Sequence, residues 1–269
     1  MVNINLEKCT GCGLCEKDCF PRNIYMKDGK PEFVTVNCIR CGHCVAICPE
    51  NAAEITDYDM TEVKDIGEQS ITADDLITMI KMRRSVRHFT DKAVEPELIS
   101  QIIEAGRFTP TASNRQEITF IVVEKEMQMF RALVLESLAE KGRAILSSDN
   151  ETPILKQYAQ RWIDADEVYK RNPNEKDIVF LDAPVVFLLA GDHSIDAGLA
   201  ASNMGLIADA NKLGVLYSGF IMRALGSEKV KNAVGVPPGK EVLTTLLVGY
   251  PAVKYRRNAP RRKADVVWI

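Results

Sequence analysis

CTGCGLCEKDC, residues 9–19, and CIRCGHCVAIC, residues 38–48, each space four cysteines as C-x2-C-x2-C-x3-C. These eight, Cys9, Cys12, Cys15, Cys19, Cys38, Cys41, Cys44 and Cys48, are the only cysteines among 269 residues. So dense a pattern constrains the first part of the chain more than any other feature. The opening MVNINLEKC has no basic stretch followed by an apolar one, so no signal peptide is expected and the chain reads as cytoplasmic. Thiols stay reduced there, and clustered cysteines then read as metal ligands rather than disulfides. A zinc site would use four ligands, usually with a longer gap between two C-x2-C pairs.

The spacing, with a proline soon after the last cysteine, resembles that of bacterial two-cluster ferredoxins. Three thiolates at two-residue gaps can wrap one face of an iron–sulfur cubane, with Gly11, Gly13 and Gly42 relieving crowding in the turns. The fourth cysteine is expected to begin a short helix pointing away. The resemblance implies that it serves the other cluster. Cys9, Cys12, Cys15 and Cys48 would then hold one 4Fe-4S cluster, and Cys38, Cys41, Cys44 and Cys19 the second. Pro49 follows Cys48 directly, whereas Phe20 separates Cys19 from Pro21, a departure that concerns the local turn. His43 reads as a solvated loop residue. NIYMKDGKPEFV, 23–34, reads as a hairpin about KDGK, and AAEIT, 52–56, as a closing strand. Residues 1–57 thus form an expected two-cluster ferredoxin-like domain whose clusters act as its core, since so short a chain needs a staple.

Polar, acidic residues 58–72 read as a linker, and residues 73–269 as a second domain. TADDLITMIKMRRS begins with an N-cap, Thr72, and acids in its first turn. EPELISQIIEAGRF, 95–108, sets Leu98, Ile102, Ile103 and Phe108 on one helical face. ITFIVVEK, 118–125, and APVVFLLAG, 183–191, read as buried strands, GVLYSGF and EVLTTLLVGYP as further strands, and 126–171 as mostly helical with a break near SSDNETP. Residues 196–214 read as a helix rich in Ala and Gly, closed by Gly214. Its small residues suit either a tight core or a close contact across a dimer interface. The expected class is α/β or α+β with one central sheet. A net charge of −3 gives no footprint of nucleic-acid or membrane binding, and the longest apolar run falls far short of a membrane span.

RRSVRHF, 83–89, gathers Arg83, Arg84 and Arg87 around Ser85. Arginine binds phosphate oxygens in bidentate fashion and serine donates a further bond. KYRRNAPRRK, 254–263, adds six cations and no acid. Each run alone also suits a solvated basic face; together, if they converge, they make a phosphate pocket. Neither a G-x-G-x-x-G fingerprint nor a P-loop occurs.

RRSVRHF resembles the flavin-phosphate motif of the FMN-dependent nitroreductase family. FTPTASNRQEITFIVV, 108–123, resembles that family's aromatic-S-P-S-x-x-N-x-Q-P-W-x-F stretch, LYSGF, 216–220, its Gly-Phe loop, and NAPRRKAD, 258–265, its Pro-Lys-x-Arg segment. The whole chain resembles the branch carrying an N-terminal two-cluster ferredoxin domain. The resemblance implies an α+β sheet dimer with FMN at the subunit interface. Arg83, Arg84 and Ser85 would hold the FMN phosphate, helped by one or more of Arg261, Arg262 and Lys263. Arg87 would lie near the pyrimidine side, where a cation raises the flavin potential. Pro110, Thr111, Ala112 and Asn114 would reach the flavin of the partner subunit, and backbone groups of Tyr217, Ser218 and Gly219 would lie near its N5. Where the family often has Gln-Pro-Trp, this chain has Gln116, Glu117 and Ile118, which bears on the substrate pocket.

The implied function is an iron–sulfur flavoprotein oxidoreductase with no side-chain nucleophile, its chemistry lying at FMN N5. Electrons would pass from a low-potential donor such as reduced ferredoxin through two 4Fe-4S clusters to FMN, and on to a small organic acceptor such as a nitroaromatic. Alternatives are an NAD(P)H-driven flavin reductase with structural clusters, or a non-catalytic redox carrier or sensor. Tyr158, Trp162 and Tyr169, at near-helical spacing, read as helix packing or as a lid over the flavin. His88 reads as packing or a flavin-edge contact, and His193 as a loop or helix-start residue, rather than as acid–base groups.

Overall fold

The computed structural model describes residues 2–34, 37–68 and 70–269. Met1, Thr35 and Val36 of the expected first domain and Gln69 of the expected linker lie outside the described residues. The chain divides into two compact units, one of Met1–Ser70 with Thr111–Gln116 and one of Ile71–Pro110 with Glu117–Ile269.

In the first unit β1 (Val2–Ile4) pairs antiparallel with β4 (Ala53–Ile55), Val2 opposite Ile55. β2 (Ile24–Lys27) and β3 (Lys30–Phe33) form the expected hairpin, turning through Asp28 and Gly29 at positive φ. α1 (Leu14–Asp18) and α2 (His43–Ala46) each start behind a left-handed glycine, Gly13 at φ 71° and Gly42 at φ 78°. The third cysteine of each run lies in the helix, and the fourth follows it. Cys19 is the C-cap of α1 and Cys48 comes just after the C-cap of α2, so neither begins a helix, because each glycine turn starts its helix one residue before the third cysteine. The buried apolar set is small, Ile24, Cys44, Ala52, Ala53 and Ile55, with cysteines packed near it. Cysteine sulfur thus occupies the place a hydrophobic core would take.

The second unit is α+β. Its antiparallel sheet has the order β5 (Thr119–Val123), β6 (Val185–Gly191), β8 (Glu241–Gly249), β7 (Gly214–Tyr217). Every residue of β6 is buried. Val186, Leu188 and Ala190 pack on one face with α5 (Met127–Leu146), α6 (Pro153–Arg171) and α8 (Gly219–Ala224). Val185, Phe187 and Leu189 pack on the other with α4 (Pro96–Arg107) and α7 (Ser194–Ala210). Two covered faces explain an unbroken apolar run in an antiparallel strand, where one wet face would give alternation. Each such Leu or Val contributes about 1.5–3 kcal/mol on burial. α3 (Ala73–Met82) carries the expected Thr72 cap, closed into a capping box with Asp75. α9 (Glu228–Ala233) precedes β8.

Three expectations change. The 118–125 run forms β5, an edge strand that is mostly half-buried, since only one neighbour and partial helix cover reach it. Phe108 is 69% exposed; it caps α4 after the helix has turned, while Ile99 and Ile102 face the core. α7 ends at Ala210, four residues before Gly214, which begins β7. Its Ala197, Ala200, Ala201 and Ala208 are fully buried and pack the core.

Candidate functional site

One cavity of the first unit is lined by Cys9, Cys12, Cys15 and Cys48, and a second by Cys38, Cys41, Cys44 and Cys19. Each cavity takes three sulfurs from one run and the fourth from the other. Backbone amides support the two crossing sulfurs: Asn23 N donates to Cys19 Sγ at 3.3 Å, and Ala52 N to Cys48 Sγ at 3.3 Å. No disulfide joins any of the eight cysteines. Burial, then the neighbouring Cys41 and Cys38, pushes the Cys44 thiol up to about 11; burial also raises Cys15. A metal that takes such thiols as ligands must displace their protons. Among the described residues no group of three or more His, Cys, Asp or Glu side chains could hold a single metal ion. Four soft donors spread around an apolar wall that includes Ile4, Leu14 and Met26, or Ile24, Phe33 and Ile39, suit a polynuclear iron–sulfur cluster. His43 is exposed at the start of α2, with Nδ1 3.0 Å from Asp18 Oδ2.

The second unit has a basic cleft of about 230 Å³. Arg83 caps the C-terminus of α3, and Ser85 is bridged in parallel to Val215 of β7, with Val86 N donating to Val215 O at 3.0 Å. Gly205 and Asp209, in the C-terminal half of α7, line the same cleft as this stretch. Arg83, Arg84, Ser85 and Arg261 all line the cleft. The two basic runs therefore meet, and of Arg261, Arg262 and Lys263 it is Arg261 that lines the cleft. Gly205 of α7 makes the approach possible: a Cβ there would stand 2.7 Å from Arg83 Nη2. Burial raises the pKa of Asp209 and of Tyr217, and the Arg83 charge offsets part of each shift. Tyr217 donates to Ala201 O at 2.8 Å. Fixed guanidinium donors and a serine hydroxyl around an open space fit a phosphate group.

A second cavity, about 390 Å³, shares Tyr217 with the cleft and is lined also by Arg87, Ser218, Gly219, Tyr158 and Arg161. The Ser218 backbone is held rigid, its N–H donating to Thr245 O at 3.2 Å and its carbonyl accepting from Thr245 Oγ1 at 2.9 Å. Space is open beside Gly219. Tyr158 and Trp162 of α6 both meet Phe220 edge-on, with centroids 5.5 Å apart. Trp162 is buried and packs the core, as does half-buried Tyr169, whose hydroxyl donates to Gln128 O at 2.9 Å; Tyr158 stands at the cavity wall. Only the placement of α6 shows that Tyr158 and Arg161 share a cavity. His193 stands before α7, with Nδ1 3.0 Å from Asp196 Oδ1, and His88 is exposed.

Pro110 falls in the second unit, whereas Thr111, Ala112 and Asn114 group with the first. Asn114 Nδ2 donates to the carbonyls of Ile39 and Arg40, at 3.1 and 2.9 Å, on the loop carrying Cys38 and Cys41. Gln116 Nε2 donates to Tyr58 OH at 2.8 Å. Ser113, Asn114 and Gln116 all have positive φ, an arrangement that costs non-glycine residues free energy and accompanies functional segments.

The sequence model of the nitroreductase family matches residues 80–250, and that of the 4Fe-4S dicluster domain matches residues 1–49. The chain is 26% identical over 181 residues to the FMN reductase (NADPH) of Bacillus subtilis, covering 65% of this chain and 66% of that one. It is 23% identical over 195 residues to an iodotyrosine deiodinase of Hydra vulgaris, covering 67% and 66%. The chain thus spans just under two thirds of the length of these curated relatives. A crystal structure of a nitroreductase with bound FMN from Bacteroides fragilis superposes with a TM-score of 0.55 at 21% identity, over 72% of this chain and 98% of that one. With a sheet and helix arrangement shared with that structure and a family match over more than half its length, the chain belongs to the nitroreductase family and carries an N-terminal 4Fe-4S dicluster domain.

Proposed function

We propose that this chain is an FMN-dependent iron–sulfur oxidoreductase. Electrons enter the N-terminal unit from a low-potential donor such as reduced ferredoxin and leave through FMN to a small organic acceptor such as a nitroaromatic. One observation carries the reading: Arg83, Arg84 and Ser85, from one end of the second unit, meet Arg261, from the other, at a single cleft. Asp209 offsets only part of this charge, and an anionic ligand such as the FMN phosphate suits the remainder.

FMN, when bound, supplies the exchange between single electrons and electron pairs, and the clusters carry single electrons. The chain's residues position and tune. Arg83, Arg84, Ser85 and Arg261 hold the phosphate, with Arg262 and Lys263 as further candidates from the same segment. Arg87 places a positive charge beside the ring, and the rigid Tyr217, Ser218 and Gly219 backbone faces it. Cys9, Cys12, Cys15 and Cys48 bind one cluster, and Cys38, Cys41, Cys44 and Cys19 the other. For a nitro acceptor, two electrons and two protons yield the nitroso compound and water. The reading includes a homodimer, with Pro110, Thr111, Ala112 and Asn114 near the other subunit's flavin. Exposed Leu76, Ile77 and Ile80 on α3 and exposed Val267, Trp268 and Ile269 at the terminus support such an assembly. No described helix is long and apolar enough to cross a membrane.

The NADPH named for the Bacillus relative favours a second reading, in which nicotinamide reduces FMN and the clusters are structural. An anaerobic count of iron, sulfide and flavin per chain, followed by reduction with ferredoxin or NADPH, separates the two. About eight irons and one FMN, with fast flavin bleaching by ferredoxin alone, supports the first. Bleaching by NADPH that persists in cluster-free protein refutes it in favour of the second.

A further inference from the structure

We infer that the cavity beside Tyr217–Gly219 selects acceptors bearing a carboxylate on a planar ring, with Arg161 of α6 as the residue that reads the charge. The inference rests on the placement of the flavin ring proposed above and names the substrate class of that site.

The cavity carries two cations, Arg87 and Arg161, and no acid lines it. Among the described residues neither guanidinium has a carboxylate partner: Arg87 makes one long contact, Nη1 to Ser85 O at 3.5 Å, and Arg161 makes no hydrogen bond or ion pair. Two acids of the neighbouring loop are paired elsewhere. Asp182 pairs with Lys176 at 2.6 Å, and Asp177 with Arg131 at 2.5 Å. On α6 itself Asp164 accepts from Gln160 at 2.8 Å, and Asp166 pairs with Lys170 at 2.8 Å. No described carboxylate therefore pairs directly with either guanidinium.

The backbone position of Arg161 is fixed by its neighbours on α6. Tyr158 lies one turn before it on the same helix face, and Trp162, its neighbour, is buried against Phe220 with Arg223 over its ring at 5.8 Å. This fixes the rotation of α6 and directs position 161 to the cavity. The rest of the wall is apolar or aromatic, with Ile178, Val179, Leu181, Leu216 and Phe220. A flat ring fits such a wall, and a carboxylate fits the planar fork of a guanidinium. A neutral ring would gain the wall but leave the Arg161 charge without a partner.

The test uses the holoenzyme with dithionite-reduced viologen as donor, so that the natural donor does not matter. The ratio of kcat/KM for 4-nitrobenzoate to that for nitrobenzene is measured in wild type, Arg161→Ala and Arg161→Lys. The ratio should fall about tenfold or more in Arg161→Ala and recover in part in Arg161→Lys. Benzoate, which accepts no electrons, should perturb the oxidised flavin absorbance, with a Kd raised by a similar factor in Arg161→Ala. An unchanged ratio and an unchanged benzoate Kd overturn the assignment. If calorimetry shows benzoate binding that depends on Arg161 while the flavin spectrum never moves, the cavity lies away from the ring. That result overturns the flavin placement and the acceptor selection that rests on it.

Discussion

Replacing Gly205 by alanine should strengthen the helix and weaken the flavin site at once. Gly205 lies in the interior of α7, where Gly→Ala favours the helix by about 1 kcal/mol. The new Cβ would stand 2.7 Å from Arg83 Nη2 and 3.4 Å from Tyr217 OH. The first contact is too close, and the flexible end of Arg83 gives way before the helix does. The guanidinium then leaves the position from which it lines the cleft. A charge-assisted hydrogen bond is worth about 1.5–3 kcal/mol, and the half-buried setting of Arg83 argues for the lower end. We predict that FMN binds about tenfold more weakly, while the melting temperature of the apoprotein holds or rises. Flavin fluorescence on titration gives Kd, and thermal unfolding by circular dichroism gives stability. The double variant with Arg83→Ala should bind no more weakly than Arg83→Ala alone, because the alanine at 205 acts only through that side chain. An unchanged FMN Kd, or additive losses in the double variant, would refute the reasoning.

Three further predictions concern other parts of the chain. Cys12→Ser with Cys48→Ser should lose no more iron than either single variant, whereas Cys12→Ser with Cys19→Ser should lose both clusters, as read by iron and sulfide per chain; equal losses in the two pairs would defeat the crossed assignment. Arg131→Met leaves Asp177 uncompensated at side-chain exposures of 9% and 2%, and should lower second-unit stability by about 3 kcal/mol. That is the low end of the usual range, because Val179 and Phe180 amides also donate to Asp177; a denaturant midpoint within error of wild type would contradict it. Glu95 is held down to about 2 by the Tyr250 hydroxyl and then by Lys92. Its folded pKa is depressed, so its contribution is present above the ordinary carboxylate value of 4.5 and is lost as pH falls toward 2. Tyr250→Phe should move the Glu95 titration back up, followed by carboxyl NMR shifts; no movement would reject the assigned cause.

Local chemistry was legible in the sequence. Cysteine spacing names an iron–sulfur motif because ligand reach is set by a few bonds along the chain. Thr72 announced its helix because a cap and its partner Asp75 are three residues apart. The run 183–191 announced a strand covered on both faces because burial of each face writes directly on composition. The edge position of β5 and the exposure of Phe108 were not legible, since both depend on which elements pack from far along the chain.

The site divides in the same way. The sequence by itself determined the donors: eight thiols, an arginine–serine run and a basic terminal segment. Tertiary structure alone decided that Arg83 and Arg261 share one cleft, that Gly205 leaves room for the guanidinium, and that Arg161 shares a cavity with Arg87. The physical reason is that residue type sets what a group can bind, while convergence depends on long-range packing of the sheet against α6 and α7, which no short stretch of chain encodes.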